Sequence, residues 1–146
     1  LVAGRPLVLG GVTIPFHLGL LGHSDADALA HAAMDAMLGA CALGDIGKLF
    51  PDTDPQYAGI CSLTLLTQVL RRTLAQGYAL SNLDATIVAQ QPKLAPHIPA
   101  MRAKLAAAMA CGQERISIKA TTPEGCGPEG ALESITVRCV CSMEAI

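Results

Sequence analysis

Tryptophan is absent from these 146 residues, and tyrosine and phenylalanine occur twice each. Without rings to stack bases, and with Lys and Arg scattered at a net charge of −2, the chain has neither the basic stripe nor the stacking platform of a nucleic-acid binder. Any phosphate it takes must be held locally. Charge is sparse as well, at 15% of residues against 51% hydrophobic. Yet no apolar run approaches the roughly 20 residues that span a bilayer, because Asp, Lys, Arg, Pro or Gly breaks each one. No membrane partner is expected, and the mean hydropathy of +0.44 points instead to contact with another subunit. A CxxC pair is also missing. The cysteines at 41, 61, 111, 126, 139 and 141 suggest neither a zinc ribbon nor a disulfide framework, but buried free thiols in a reducing compartment.

What is present reads as strands alternating with helices. LVLGGVTIP, residues 7–15, suggests a strand with a bulge or tight turn at Gly10 and Gly11. A helix is expected over 25–42, with Ser24 or Asp25 as its N-cap and Gly44 beyond its end. GDIGKLFPDTDPQYAG follows, too rich in Gly, Pro and Asp for regular structure, and long enough to read as a functional loop. Residues 62–77 form an amphipathic pattern, with Leu63, Leu66, Val69, Leu70 and Leu74 as its apolar face, Ser62 as cap and Gly77 as stop. LDATIVAQQ reads as a strand, QPKLAPHIP as a proline-punctuated loop, and 98–111 as a third helix with Pro99 in its first turn. RISIKATT and SITVRCVCSM alternate as the last two strands, joined by a Gly/Pro loop. The expected fold is α+β, a single-domain sheet with helices packed on one face.

Chemistry-bearing residues gather in four places. In the first helix, Asp27, His31 and Asp35 recur at a spacing of four and share one face. His31 could ligate a metal, with Asp27 as a possible second ligand, but a catalytic metal needs three. The loop after that helix carries Asp45, Lys48, Asp52 and Asp54 among glycines that allow close backbone approach to a ligand; such acids also cap turns. KATTPEG sets Thr121, Thr122 and Glu124 at a strand end, with hydroxyls suited to phosphate and a hard carboxylate suited to Mg²⁺. QQPKLAPHIP joins Lys93 to a rigid loop that is either a base pocket or a tight connection.

HSDADALAH, GDIGKLFPDTDP, AQQPKLAPHIPAMR and KATTPE, in this order and at these separations, resemble the 2-C-methyl-D-erythritol 2,4-cyclodiphosphate synthase family of non-mevalonate isoprenoid biosynthesis. The likeness runs from about residue 7 to residue 124 and continues less well to the end. It implies conversion of 4-diphosphocytidyl-2-C-methyl-D-erythritol 2-phosphate into the cyclic diphosphate and CMP. It further implies a homotrimer with active sites between neighbouring subunits, in a bacterial cytoplasm or a plastid stroma. His31 matches the family's zinc-binding histidine, the ion being Zn²⁺ or another divalent transition metal. His23 and Ser24 match a flexible substrate-contacting pair. Asp45, Ile46 and Gly47, then Phe50, Pro51, Asp52, Thr53 and Asp54, match segments around the ribose and the erythritol phosphate. Ala89, Gln90, Gln91, Pro92, Lys93, Leu94 and Ala95 match the cytosine pocket. Thr121, Thr122 and Pro123 match phosphate contacts, and Glu124 the carboxylate that binds Mg²⁺ or Mn²⁺. His23 and Thr122 stand at the catalytic positions. The 2-phosphate attacks the β-phosphorus without a protein nucleophile, so positioning and charge neutralisation carry such a reaction.

The family pattern is not matched throughout. Its Asp-x-His strand, which supplies two further zinc ligands, has no counterpart here, so residues 1–146 are expected to form one domain lacking that N-terminal strand. Pro128 and Ala131 stand where the family usually has an aromatic and an arginine, and Pro123 replaces a common threonine. Two readings remain: a metal-dependent phosphorus–oxygen lyase, or a noncatalytic trimeric relative that keeps the cytidine-nucleotide pocket.

Overall fold

Gly10 and Gly11 form a two-residue hairpin turn rather than a bulge in one strand, both at positive φ, +59° and +74°. Positive φ at both central residues matches the twist of the flanking strands, and glycine adopts it without steric cost. In the computed structural model, which describes residues 1–146, the chain runs β1 (Val2–Ala3), β2 (Leu7–Leu9), β3 (Val12–Ile14), β4 (Leu18–Gly19), α1 (Ala28–Ala40) and α2 (Ile46–Leu49). It continues through a 3₁₀ turn at Pro55–Tyr57 to α3 (Ser62–Ala75), β5 (Tyr78–Val88), α4 (Ile98–Ala108), β6 (Ile116–Thr121), α5 (Gly127–Gly130) and β7 (Thr136–Ala145). β2 pairs with β3 and β1 with β4, both antiparallel and apart from the main sheet.

The main sheet has the order β6-β5-β7. β5 is parallel to β6, from Leu83 opposite Ile116 to Val88 opposite Thr121, and antiparallel to β7, with an irregularity between Leu80 and Asn82. The last two strands therefore never meet; each takes one edge of β5. Because strand side chains alternate, Leu83, Ala85 and Ile87 of β5 and Ile116 and Ile118 of β6 are buried on one face. The other face carries Asp84, Thr86, Lys119, Arg138 and Val140. All three long helices pack on the buried face, α1 against β7, α3 against β5 and α4 against β6.

Helix α1 starts later than its sequence suggests. Asp27, not Ser24 or Asp25, is its N-cap, accepting from the amide of Ala30. Its other bonds explain the shift. The Asp27 carboxylate is fully buried and also accepts from Gly10 N at 2.9 Å and Gly11 N at 2.7 Å, so one side chain joins the helix start to the hairpin turn. Burial pushes its pKa up against the pull of those amides. In α3 the buried stripe is Ser62, Leu65, Leu66, Val69, Leu70 and Thr73, so Leu63 is only half-buried and Leu74 is exposed. Cys61 precedes this helix without a side-chain cap. The core joins these faces with Leu7, Leu9, Met34, Met37, Met101 and Leu105.

Candidate functional site

The segment between β4 and α1 is stitched onto the loop after α2. Gly59 N donates to His23 O at 2.8 Å, Asp25 N to Ile60 O at 3.1 Å, and His23 Nε2 lies 2.8 Å from Asp54 O. This leaves an open cavity of about 540 Å³. Of the sequence-predicted residues, His23, Ser24, His31, Ile46, Gly47, Phe50, Pro51 and Asp52 line it. The rest of the wall is Leu20, Leu21, Gly22, Ala26, Ala28, Met34, Tyr57, Leu65 and Ile135. These apolar residues have no motif, since a wall needs shape rather than chemistry, and sequence reasoning missed them.

The loop expected to be irregular carries two short capped turns. Asp45 caps α2, its Oδ1 accepting from Lys48 N at 3.0 Å, while Asp35 on α1 accepts from Ile46 N at 2.9 Å. Asp54 caps the 3₁₀ turn and accepts from the side chain and amide of Gln56, which hold its pKa low. Phe50 meets Tyr57 edge to face, with centroids 5.3 Å apart. Asp45, Thr53 and Asp54 sit in this loop but do not line the cavity.

A second cavity, about 460 Å³, opens at the C-terminal ends of the parallel pair β5 and β6. Ala89, Gln90, Gln91, Pro92, Lys93, Leu94 and Ala95 line it, together with Ala120, Thr121 and Thr122. The strand register brings the two motifs together: Ala89 N donates to Thr121 O at 3.1 Å, continuing the ladder past Val88. Gly125 N donates to Gln90 Oε1 at 2.8 Å and ties the loop after β6 to this wall. The Gln91–Pro92 peptide is cis. Glu124, at φ +55°, donates its amide to Thr122 Oγ1 at 3.4 Å, and Thr122 Oγ1 lies 3.5 Å from Glu124 Oε1. Pro123 and Glu124 stand outside the lining. One chain thus sorts the predicted residues into two groups, with His23 and His31 in one cavity and Thr122 in the other.

The two metal positions differ in what the chain supplies. Mg²⁺ is commonly held by one or two carboxylates plus substrate phosphates, and the exposed Glu124 carboxylate beside the Thr122 hydroxyl fits that chemistry. At His31 the fit is partial, because a catalytic zinc takes three protein ligands and no three His, Cys, Asp or Glu side chains come close enough to hold an ion.

An α+β domain with one cavity at the ends of its parallel strands and a second, histidine-bearing cavity is the class that fold and site define. The chain belongs to the YgbB family, whose model matches residues 1–144. It is 58% identical to the 2-C-methyl-D-erythritol 2,4-cyclodiphosphate synthase of Geobacter sulfurreducens, over 99% of this chain and 92% of that protein. A solved 2C-methyl-D-erythritol-2,4-cyclodiphosphate synthase, in a form bound to CDP, superposes with a TM-score of 0.88 at 40% identity, covering 97% of this chain and 92% of that one. The bifunctional IspDF of Campylobacter jejuni superposes at 0.95 with 40% identity; this chain is covered over 99% and spans 39% of that longer protein. The fold is therefore the mixed α+β fold of these structures, and no helix is long and apolar enough to cross a membrane.

Proposed function

We propose that this protein cyclises 4-diphosphocytidyl-2-C-methyl-D-erythritol 2-phosphate to 2-C-methyl-D-erythritol 2,4-cyclodiphosphate. A 2-phosphate oxygen attacks the β-phosphorus, the bond from that phosphorus to the bridging oxygen breaks, and CMP leaves with the electron pair. A location in a bacterial cytoplasm or a plastid stroma goes with this reading. One observation carries it: motifs distant in sequence converge into two cavities, residues 89–95 with Thr121 and Thr122, and His23 and Ser24 with Ile46, Gly47, Phe50, Pro51 and Asp52.

The residues have work suited to that reaction. Residues 89–95 line a cavity that could take the base, with Lys93 offering positive charge. Thr121 and Thr122 present neutral hydroxyls at the mouth of the parallel strands, where they can donate to phosphate oxygens. His23, anchored through Nε2 to Asp54 O, and Ser24 face the other cavity, where the erythritol end would be oriented. Glu124 would hold Mg²⁺ or Mn²⁺, which neutralises diphosphate charge when bound. His31 would give one ligand to Zn²⁺ or another divalent transition metal.

The assembly proposed is a homotrimer whose neighbours complete each site. Its support is the separation of His23 from Thr122 within one chain, and a sheet face that no helix covers, where Val140 is 66% exposed. The test is CMP release from the diphosphocytidyl substrate. Thr122→Ala is expected to lower kcat by about 10²–10³, the scale for losing one donor to developing charge. Equal rates in the two proteins would remove Thr122 from the reaction.

A further inference from the structure

Arg5 stands between two residues that set the backbone, Gly4 at φ +82° and Pro6, and it is half-buried. It pairs with no carboxylate, since the ion pairs of the chain are Arg115 with Glu144 and Lys119 with Asp84. Its donors go instead to two main-chain carbonyls of the segment between β4 and α1. Nε donates to Leu20 O at 2.7 Å and Nη2 to Ser24 O at 3.0 Å. No backbone amide donates to either oxygen. The main chain of Arg5 meets the same part of the fold: β1 pairs with β4, and a Cβ at Gly19 would overlap the carbonyl oxygens of Arg5 and Pro6. Glycine alone lets these two backbones come so close.

The segment held in this way carries His23 and Ser24 into the larger cavity. Leu20 and Ser24 are its ends, and Leu21 and Gly22 between them are exposed. Its other side is tied to the loop before α3, by Gly59 N to His23 O at 2.8 Å and Asp25 N to Ile60 O at 3.1 Å. A guanidinium presents its donors as a rigid planar fork, so one side chain reaches both carbonyls; an ammonium is a point charge on a flexible stem. We propose that Arg5 is a positioning residue of the cyclisation site, clipping both ends of the Leu20–Ser24 arch and so setting where His23 and Ser24 stand in the cavity. Arg5 does not line the cavity and acts only through these two residues. Its part in turnover rests on the proposed cyclisation, in which His23 and Ser24 orient the erythritol end. Residues 89–95 line the other cavity and are not touched by the clip.

Hydrogen exchange of the 146-residue protein, followed by NMR without substrate, reads the clip directly. In Arg5→Ala the amides of Gly59 and Asp25 are expected to exchange at least about tenfold faster, the scale of one lost hydrogen bond to a charged group, with the amides of β5 unchanged. Arg5→Lys keeps the charge and the aliphatic stem but reaches one carbonyl at a time. Its acceleration should be smaller, and it reads the clip even where Arg5→Ala does not fold. In the CMP-release assay kcat/KM should fall by about 10–10² in Arg5→Ala, the scale of a displaced catalytic segment, and by less in Arg5→Lys. CDP should bind both variants as tightly as the unsubstituted protein, which a general loss of structure would not allow. Unchanged exchange at Gly59 and Asp25 in a folded variant overturns the proposal, and so does faster exchange with unchanged kcat/KM. If the unsubstituted protein releases no CMP, the cyclisation reading fails by itself, and exchange at Gly59 and Asp25 still decides whether Arg5 sets the arch.

Discussion

Asp27, His31 and Asp35 share one face of α1, and spacing alone cannot say which of them belongs to a site. Their bonds separate them: Asp27 is buried under three amides, His31 lines a cavity, and Asp35 pins the start of α2. Asp27→Ala should cost about 2–4 kcal/mol in urea unfolding, combining a lost cap with buried amides left unpaired. Asp35→Ala, at an exposed position, should cost less than about 1 kcal/mol. The cysteines separate as well: all are free as expected, but none is fully buried, two being exposed and four half-buried. Burial, with Cys141 and Asp84 nearby, pushes the Cys139 thiol up to about 12, whereas Cys61 and Cys126 are exposed. Alkylation near pH 8 should therefore modify Cys61 and Cys126 more than about a hundredfold faster than Cys139, because the thiolate is the reactive form. Comparable labelling of all three in the folded protein would contradict that.

At the scale of elements, the helices and long strands were legible because burial imposes a period. The 3.6-residue stripe of α3 and the alternation of β6 both stand in the sequence. What was not legible depended on partners far away in the chain. The start of α1 is set by the Gly10–Gly11 turn, seventeen and sixteen residues from Asp27, and Leu63 and Leu74 lie off one side of a buried stripe centred on Ser62 and Thr73. Glycine motifs gave the position of the first turn but not its form. A Cβ at Gly11 would run into the side chain of Leu63, and the residue sits at φ +74°. Gly11→Ala is thus expected to destabilise the protein by about 1–3 kcal/mol, read as a lower urea midpoint at unchanged slope.

For the whole molecule, the sequence's motifs named residues in four segments, but neither their sorting into two cavities nor the apolar walls that shape those cavities. Nor could they show that the groups stand apart within a chain, which follows from α1 and the β5–β6 strand ends lying in different parts of the fold. The proposed trimer joins such separated groups from neighbouring copies. Sedimentation should give three times the 15.0 kDa chain mass, and Val140→Arg on the open sheet face should lower both that mass and CMP release. A fully active monomer would separate catalysis from assembly.

Cyclisation itself is open to ³¹P NMR of the protein with 4-diphosphocytidyl-2-C-methyl-D-erythritol 2-phosphate, Mg²⁺ and Zn²⁺. Substrate signals are expected to give way to equal amounts of CMP and a cyclic diphosphate. Substrate that persists unchanged, while CDP still perturbs the resonances of residues 89–95, would contradict it and leave a nucleotide-binding protein without the cyclising reaction.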